Sequence, residues 1–302
     1  MHIIDSHFHI YKNAQAGLMA QGGESLTGFN GTIEEALPIL NRGLITKIIA
    51  LAVIPIEPMR QAAMKKWPAD LSSVQKQELS AELEAKMQTR LSSYNDWLCR
   101  AAKEDGRIEP AIMADATVDS DYMAAEIQSK IDDYQIKTLK IHPAVNNLTP
   151  EHEGYLRIFE LAHQNNLVVI SHGGISGDDL EGKYCSPEKF RKALDTFPNL
   201  KLVVAHLAYP HINDLLELAS QYKNLYTDIS FILKNSPISD KEFGDIIKNF
   251  IKNFGPDRVL FGSDFPWSDP EKDAQRLLQF NLDKSALEMV ARENAINLFQ
   301  LT

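Results

Sequence analysis

Eight short runs of apolar and β-branched residues recur along this chain, and each is followed by a polar segment and then by a helical pattern. The runs are nearly continuous in apolar residues, and the clearest of them reads IIALAVI over residues 48–54. Such runs are typical of parallel strands that are buried on both faces. The predicted strands are residues 3–10, 46–54, 109–114, 138–142, 167–172, 200–206, 225–229 and 258–264.

Helical patterns fill the segments between these runs. The predicted helices are residues 32–44, 69–105, 120–134, 150–165, 187–196, 211–222, 241–253, 270–280 and 284–299. Around Thr149 and Pro150 a capping residue is followed by a proline in the first turn and by acids near the positive end of the helix dipole. Eight strands that alternate with helices favour a single parallel (β/α)8 TIM barrel over an open, doubly wound sheet. We therefore expect one domain over residues 1–302.

Two connections are longer than a barrel loop requires. Residues 11–31, after the first predicted strand, hold five of the fifteen glycines, and residues 55–100, after the second, are mostly a helical insertion (about 56–100). Both leave from the carboxyl ends of strands, which is the face that carries barrel active sites. The insertion is either a lid over that face or a solvated helix that packs on the outside of the barrel.

The charge balance limits the partners of the chain. Its 31 basic and 41 acidic residues give a formal net charge of −10, and no block of lysine or arginine points to nucleic acid or an anionic membrane.

Two cysteines cannot build a disulfide framework. No apolar stretch reaches the roughly 18 residues of a membrane span, and the first residues do not resemble a signal peptide. We expect a cytoplasmic enzyme with a small-molecule substrate, and a homo-oligomer is compatible with the sequence.

Side chains that bind metals collect at the predicted strand ends. His7 and His9 are two residues apart in the first strand, so the period of a strand places both imidazoles on one face, close enough to bind one ion. The residues that close later strands are His142, His172, His206 and Asp264. In a parallel barrel all of these positions converge on one rim. Imidazole together with carboxylate suits Zn²⁺ first, and Fe²⁺, Mn²⁺ or Ni²⁺ as well.

Five short motifs around these positions resemble those of a known family. In chain order they are DSHFH at 5–9, LKIHP at 139–143, SHGG at 171–174, VAHL at 204–207 and GSDFP at 262–266. This ordered set is similar to the strand-end motifs of the amidohydrolase superfamily, and most of all to its amidohydrolase-related branch, amidohydrolase family 2. That branch contains hydrolases and also decarboxylases similar to aminocarboxymuconate-semialdehyde decarboxylase. The resemblance implies a (β/α)8 barrel and a divalent metal ion.

The resemblance also implies roles for individual residues. The ligands of a single ion, expected to be Zn²⁺, would be His7, His9, His172 and Asp264. Asp264 would in addition take a proton from the attacking water and return it to the leaving group. His206 would act beside the ion as a catalytic group that polarises or protonates the substrate.

Lys140 and His142 share one face of the fourth predicted strand, so both can point into the barrel. We expect them to support the site or to contact the substrate. One alternative is a carbamylated Lys140 that bridges two ions, as in two-metal amidohydrolases. Another is a Lys140 that is held in an ion pair within the barrel. We favour one ion and an unmodified lysine.

The expected reaction is hydrolysis of a small ester, lactone or amide by metal-activated water. The alternative is a non-oxidative carboxy-lyase, a decarboxylase, on the same metal site, and a more remote one is a metal-binding scaffold without catalysis. A decarboxylase must hold a carboxylate, usually with an arginine, and the predicted strand ends carry none. Arg60, after the second strand, is the arginine we expect to reach the rim and bind substrate. Asp115 lies just past the third predicted strand and Asp228 lies within the seventh. Both could face the site, but we expect turn or supporting roles for them.

Overall fold

Eight parallel strands form one sheet whose spatial order is the order of the chain. The computed structural model describes residues 1–177, 179–231 and 240–301, without the side chains at 240 and 241. The strands are β1 (Ile3–His9), β2 (Ile45–Leu51), β3 (Ile108–Met113), β4 (Thr138–Ile141), β5 (Val168–Ser171), β6 (Lys201–Val204), β7 (Leu225–Asp228) and β8 (Val259–Leu260). The amide of Ser6 donates to the carbonyl oxygen of Phe261 at 2.9 Å, which joins the first strand to the segment after the last.

Helices occupy the connections between the strands. They are α1 (Ala14–Ala20), α2 (Ile33–Arg42), α3 (Ile56–Met64), α4 (Ser73–Glu104), α5 (Ser120–Tyr134), α6 (Glu153–Gln164), α7 (Arg191–Thr196), α8 (Ile212–Gln221), α9 (Asp240–Phe254), α10 (Pro270–Gln279), α11 (Lys284–Glu288) and α12 (Asn294–Phe299). This alternation with eight strands confirms the predicted (β/α)8 TIM barrel. None of the described helices is long and apolar enough to cross a membrane.

The segment between β2 and β3 contains two helices where the sequence predicted one long helix. Helix α4 begins at Ser73 because Ser72 caps it. The Ser72 hydroxyl accepts from the amide of Gln75 at 3.3 Å, and the Gln75 side chain accepts from the amide of Ser72 at 3.0 Å, which is a capping box. Helix α1 was not predicted, since its segment is rich in glycine, a poor helix former.

The second half of α4 packs against the barrel. Leu91 and Leu98 are fully buried, and the Asn95 side chain donates to the carbonyl oxygen of Met113 in β3 at 3.1 Å. Residues 73–78 at the start of the helix are exposed. This part of the insertion is therefore a helix on the outside of the barrel, the second of the two arrangements considered for it.

The barrel interior is apolar toward the amino ends of the strands. The C-terminal helix contributes to the apolar cluster there, whose members are Ile4, Ile49, Leu51, Ala111, Val168, Ile170, Val203, Leu260, Ala295, Leu298 and Phe299. A second, larger apolar cluster joins the strands to the helices that surround them. Because α12 fills the amino end, the carboxyl end is the side from which a ligand reaches the interior.

A register shift in β1 brings both of its histidines into the interior. Against β2, Asp5 lies opposite Ile48 and Phe8 lies opposite Ala50, so three steps along β1 match two along β2. An extra residue of this kind moves the following side chains to the other face of the strand. His7 and His9 therefore point to the same side as the interior residue Ile4.

The last strand is shorter than predicted, because the chain leaves extended geometry at the rim. Only Val259–Leu260 is regular strand. Beyond it, a Cβ atom at Gly262 would lie 2.7 Å from the Cβ of His7, so this close approach requires glycine. Asp264 has a φ of +63°, a left-handed conformation that is rare for residues other than glycine. These two features turn the Asp264 carboxylate toward β1.

Candidate metal centre

His7, His9 and Asp264 bring three ligand atoms together at the carboxyl end of the barrel. The Nε2 atoms of His7 and His9 are 3.2 Å apart. Oδ1 of Asp264 lies 3.4 Å from Nε2 of His7 and 3.3 Å from Nε2 of His9. All three residues are buried. The structure thus places three of the four predicted ligands against one another.

The spacing and the charge of these atoms fit one metal ion. Two ligand atoms bound to the same tetrahedral zinc ion lie about 3.3 Å apart. Burial, and after it the charge of Lys140, lower the pKa of His7 to about 3, and burial also lowers the pKa of His9. Both imidazoles are therefore uncharged and offer a lone pair. Burial by itself raises the pKa of Asp264, but the hydrogen bond with His9 and the nearby histidines outweigh it and keep that pKa below its usual range.

His206 and His172 lie beside this triangle. Ligand atoms of His7, His206 and Asp264 all lie within 4.8 Å of one another, and the ring centroids of His172 and His206 are 4.9 Å apart. Nε2 of His172 donates to the carbonyl oxygen of Ile175 at 2.9 Å, which leaves Nδ1 as the nitrogen with a lone pair. The predicted roles, ligand for His172 and catalytic group for His206, stay predictions. We call His7, His9, His172, His206 and Asp264 the metal centre.

Lys140 lies directly at the metal centre. Its Nζ atom is 3.4 Å from Nε2 of His7, and the residue is buried. Burial lowers the pKa of Lys140 to about 8, against the charges of Asp228 and Asp264, which act to raise it. Among the residues that the structure describes, Lys140 forms no ion pair within 4.0 Å. The alternative of a lysine that is held in a close ion pair within the barrel therefore loses support.

His142 covers one side of the predicted ligand His172. The two rings are stacked, with centroids 4.1 Å apart and planes 8° from parallel. Nδ1 of His142 accepts from the amide of Val145 at 3.3 Å. Burial holds the pKa of His142 well below its usual range, so the ring is uncharged and its proton is on Nε2. His142 can therefore donate one hydrogen bond from Nε2, as its predicted contact with substrate requires.

The guanidinium of Arg60 is already bound to other groups of the protein. Arg60 lies on α3, where its guanidinium pairs with the carboxylate of Glu57, with Glu84 at 2.8 Å and with the carbonyl oxygen of Thr117 at 3.0 Å. A substrate carboxylate at Arg60 would compete with these three acceptors. The predicted role of Arg60 in substrate binding stays a prediction, whereas Lys140 is placed at the metal centre itself.

Two buried carboxylates support the centre from behind. Asp5 accepts from the amides of His7 and Ser263 at 3.1 and 3.0 Å, and burial raises the pKa of Asp5 to about 7. Asp228 accepts from Nδ1 of His7 at 2.9 Å, which agrees with the supporting role expected for it. Asp5 was not singled out from the sequence, where its one signal is its place in the motif DSHFH.

The sequence from residue 4 to residue 301 matches the amidohydrolase family 2, described as amidohydrolase. The chain belongs to this family. The resemblance inferred from the five motifs is thereby confirmed. No curated protein sequence matches this family 2 chain.

Solved structures similar to this amidohydrolase family 2 protein span the whole barrel. An uncharacterized TIM-barrel protein from Bordetella bronchiseptica is 18% identical with a TM-score of 0.75, over 100% of this chain and 99% of that one. A 5-carboxyvanillate decarboxylase from Sphingomonas paucimobilis is 14% identical with a TM-score of 0.69, over 100% and 99%. A manganese-bound dihydroxybenzoic acid decarboxylase from Polaromonas sp. JS666 is 13% identical with a TM-score of 0.69, over 99% and 97%. At these identities the likeness concerns the fold.

Proposed function

We propose that this amidohydrolase family 2 protein is a metal-dependent decarboxylase of a small hydroxy-aromatic carboxylic acid. In this reaction the bond between the ring carbon and the carboxyl carbon breaks and CO₂ leaves. The electron pair stays on the ring carbon, which then takes up one proton. The protein must hold a carboxylate, position the ring and deliver that proton.

The observation that carries the proposal is the buried lysine at the metal centre. Lys140 Nζ is 3.4 Å from Nε2 of His7, and among the described residues no carboxylate forms an ion pair with it within 4.0 Å. A buried ammonium group that has carboxylates nearby but none in direct contact is costly. A substrate carboxylate that binds beside His7 would supply the missing partner.

This lysine removes the reason for preferring hydrolysis. The sequence favoured a hydrolase because no arginine stands at a strand end, and a decarboxylase needs a cation for its carboxylate. Lys140 is such a cation, and it comes from the strand-four motif rather than from a loop. The comparisons agree better with the decarboxylase alternative, since two of the similar structures are decarboxylases of hydroxy-aromatic acids.

The other side chains have parts in the same reaction. His142 donates from Nε2 to an oxygen of the substrate. His206 takes up one proton from water at Nε2 and then delivers it to the ring carbon. Trp267 meets the ring of His9 edge-on at 5.2 Å, and we assign to it a contact with the ring of the substrate. A divalent ion held by His7, His9, His172 and Asp264 would supply positive charge for the oxygens of the substrate.

We propose one ion per chain, and Mn²⁺ is tested beside the Zn²⁺ that the sequence predicts, because the Polaromonas structure contains manganese. The proposed substrate is a small molecule, without a nucleic-acid or membrane partner. Cytoplasmic location and a homo-oligomer belong to the same proposal.

The test is turnover in D₂O with a panel of hydroxybenzoic acids. The chain is stripped of metal, loaded with Mn²⁺ or Zn²⁺, and compared with the stripped chain as the background control. We expect metal-dependent release of CO₂ and one deuteron at the carbon that loses the carboxyl group. Esters, lactones and amides are run in ¹⁸O-water with the same preparations. Hydrolysis products that carry ¹⁸O, with no CO₂ from any acid, would overturn the proposal in favour of a hydrolase.

A further inference from the structure

Asp228, at the end of β7, is 1% exposed, and its carboxylate accepts several hydrogen bonds. Its Oδ2 accepts from Nδ1 of His7 at 2.9 Å. Its Oδ1 accepts from the amide of His206 at 3.0 Å, from the amide of Ser230 at 3.1 Å and from the Ser230 hydroxyl. Oγ of Ser230 in turn lies 2.8 Å from Nδ1 of His206. A continuous path of hydrogen bonds therefore joins His7 to His206.

The bonding capacity of each group determines where the protons of this path lie. The amides of His206 and Ser230 can only donate, so Oδ1 of Asp228 is an acceptor for both of them. The single hydroxyl proton of Ser230 is used toward Asp228, so Oγ of Ser230 must accept from His206. The carbonyl oxygen of Ser230, 3.4 Å from the same Nδ1, is an acceptor too.

We infer that Asp228 and Ser230 select one tautomer of His206, with the proton on Nδ1 and a lone pair on Nε2. The same carboxylate accepts the Nδ1 proton of His7, whose Nε2 then faces His9 and Asp264 with its lone pair. One buried carboxylate sets the tautomers of two histidines of the metal centre, the first directly and the second through a serine hydroxyl.

This selection has a chemical consequence that does not depend on the reaction proposed above. With its lone pair on Nε2, His206 can bind an ion or accept a proton at that atom. The opposite tautomer, with the proton on Nε2 and the lone pair turned toward Ser230, can do neither. Ser230 is therefore a positioning residue, because it acts on the site through His206.

Asp228 has a structural task in addition, which makes Ser230 the better residue to change. His206, Leu207 and Ala208 have φ values of +59°, +52° and +51°. Three successive residues in the left-handed region are strained, and the bond from the His206 amide to Asp228 helps to hold them. A substitution of Asp228 would disturb this backbone as well as the tautomers, whereas Ser230→Ala removes only the hydroxyl.

The test measures the tautomer directly. The full chain is labelled with ¹⁵N-histidine, and two-bond ¹H–¹⁵N spectra are recorded above neutral pH. Spectra are taken with Zn²⁺ bound and again after metal removal. The signals of His206 are identified by their absence from the spectrum of His206→Asn. We expect the wild-type signal to show the proton on Nδ1. In Ser230→Ala we expect the ratio of the two tautomers to shift by about 5- to 10-fold toward Nε2–H in the metal-free chain, since one hydrogen bond is lost. The signals of His7 should stay in place.

Ser6→Ala is the matched control, because Ser6 is a buried serine next to His7 whose hydroxyl has no partner among the described residues. It should leave the His206 tautomer unchanged, and Ser230→Thr, which keeps a hydroxyl, should restore the wild-type ratio. A wild-type His206 with its proton on Nε2 would overturn the inference even if Ser230→Ala does not fold. So would an unchanged ratio in a folded Ser230→Ala. Neither readout needs a substrate, so the decarboxylase proposal stands or fails separately.

Discussion

The amide nitrogen of Ser263 donates a 3.0 Å hydrogen bond to Oδ1 of Asp5, and the same oxygen accepts from the amide of His7. This one carboxylate oxygen joins the first strand-end motif to the last. It fixes the two segments from which His7 and Asp264 point at each other. The position of the metal centre thus depends on a residue that binds no ion itself.

We expect Asp5→Ala to destabilise the protein by about 2–4 kcal/mol, because it leaves two buried amide groups without an acceptor. Asp5→Asn keeps an oxygen for both amides and should cost much less. Urea denaturation of the metal-free chains gives the free energies of unfolding, and elemental analysis gives the metal content. Equal losses in the two variants would show that the acceptor oxygen is not what matters.

We expect His206→Asn to keep the fold and most of the metal but to lose roughly 10²–10⁴-fold in turnover, as for a catalytic acid–base group. His9→Asn, at a predicted ligand, should lose the metal as well. The two variants are compared by metal content per chain and by kcat on the same substrate. Loss of the ion from His206→Asn would show that His206 is a ligand. This outcome is worth testing because ligand atoms of His206, His7 and Asp264 lie within 4.8 Å of one another.

The strands and the rim were predictable because their signals are local. A strand buried on both faces reads as an apolar run, as in β2, and the ligand-type residues stand where such runs end. Helix α5 begins and ends at the predicted residues, Ser120 and Tyr134. The early end of β8 was missed, since it depends on the close approach of Gly262 to His7.

The supporting contacts could not be predicted in the same way. His7 and Asp228 are 221 residues apart, and Ser230 meets His206 only because the loops after β6 and β7 converge. No local pattern marks such a pair. Likewise, the sequence placed Lys140 on an inward face but could not show that it has no ion-pair partner among the described residues.

Asp115, which is not one of the predicted ligands, offers a test of pH dependence. It is fully buried, and burial raises its pKa above the ordinary value of 3.8, against hydrogen bonds from Thr117 and Asn146. Since the pKa of the folded state is the higher one, the contribution of Asp115 to stability is full below about pH 3.8 and falls as the pH rises through the folded-state value. Relative to the wild type, Asp115→Asn should therefore gain stability between about pH 4 and about pH 7.5.

Urea denaturation at the two pH values measures this gain in the metal-free chain. Asp70→Asn, at an exposed position outside the helices, is the matched control for an aspartate-to-asparagine change. The raised pKa would be contradicted if the free energies of unfolding of Asp115→Asn and the wild type differed by the same amount at both pH values.

Lys140→Met tests the group that we assign to the substrate carboxylate. It removes the ammonium 3.4 Å from His7 but retains much of the side-chain volume. We expect the KM for the acid substrate to rise by about 10- to 100-fold, the range for a hydrogen bond to a charged group, with one ion per chain still bound. Lys137→Met is the control, because Lys137 lies just before β4 and its Nζ binds the carbonyl oxygen of Gln300 at 2.8 Å, away from the centre. Two ions per wild-type chain and one in Lys140→Met would instead identify Lys140 as a bridging, carbamylated ligand.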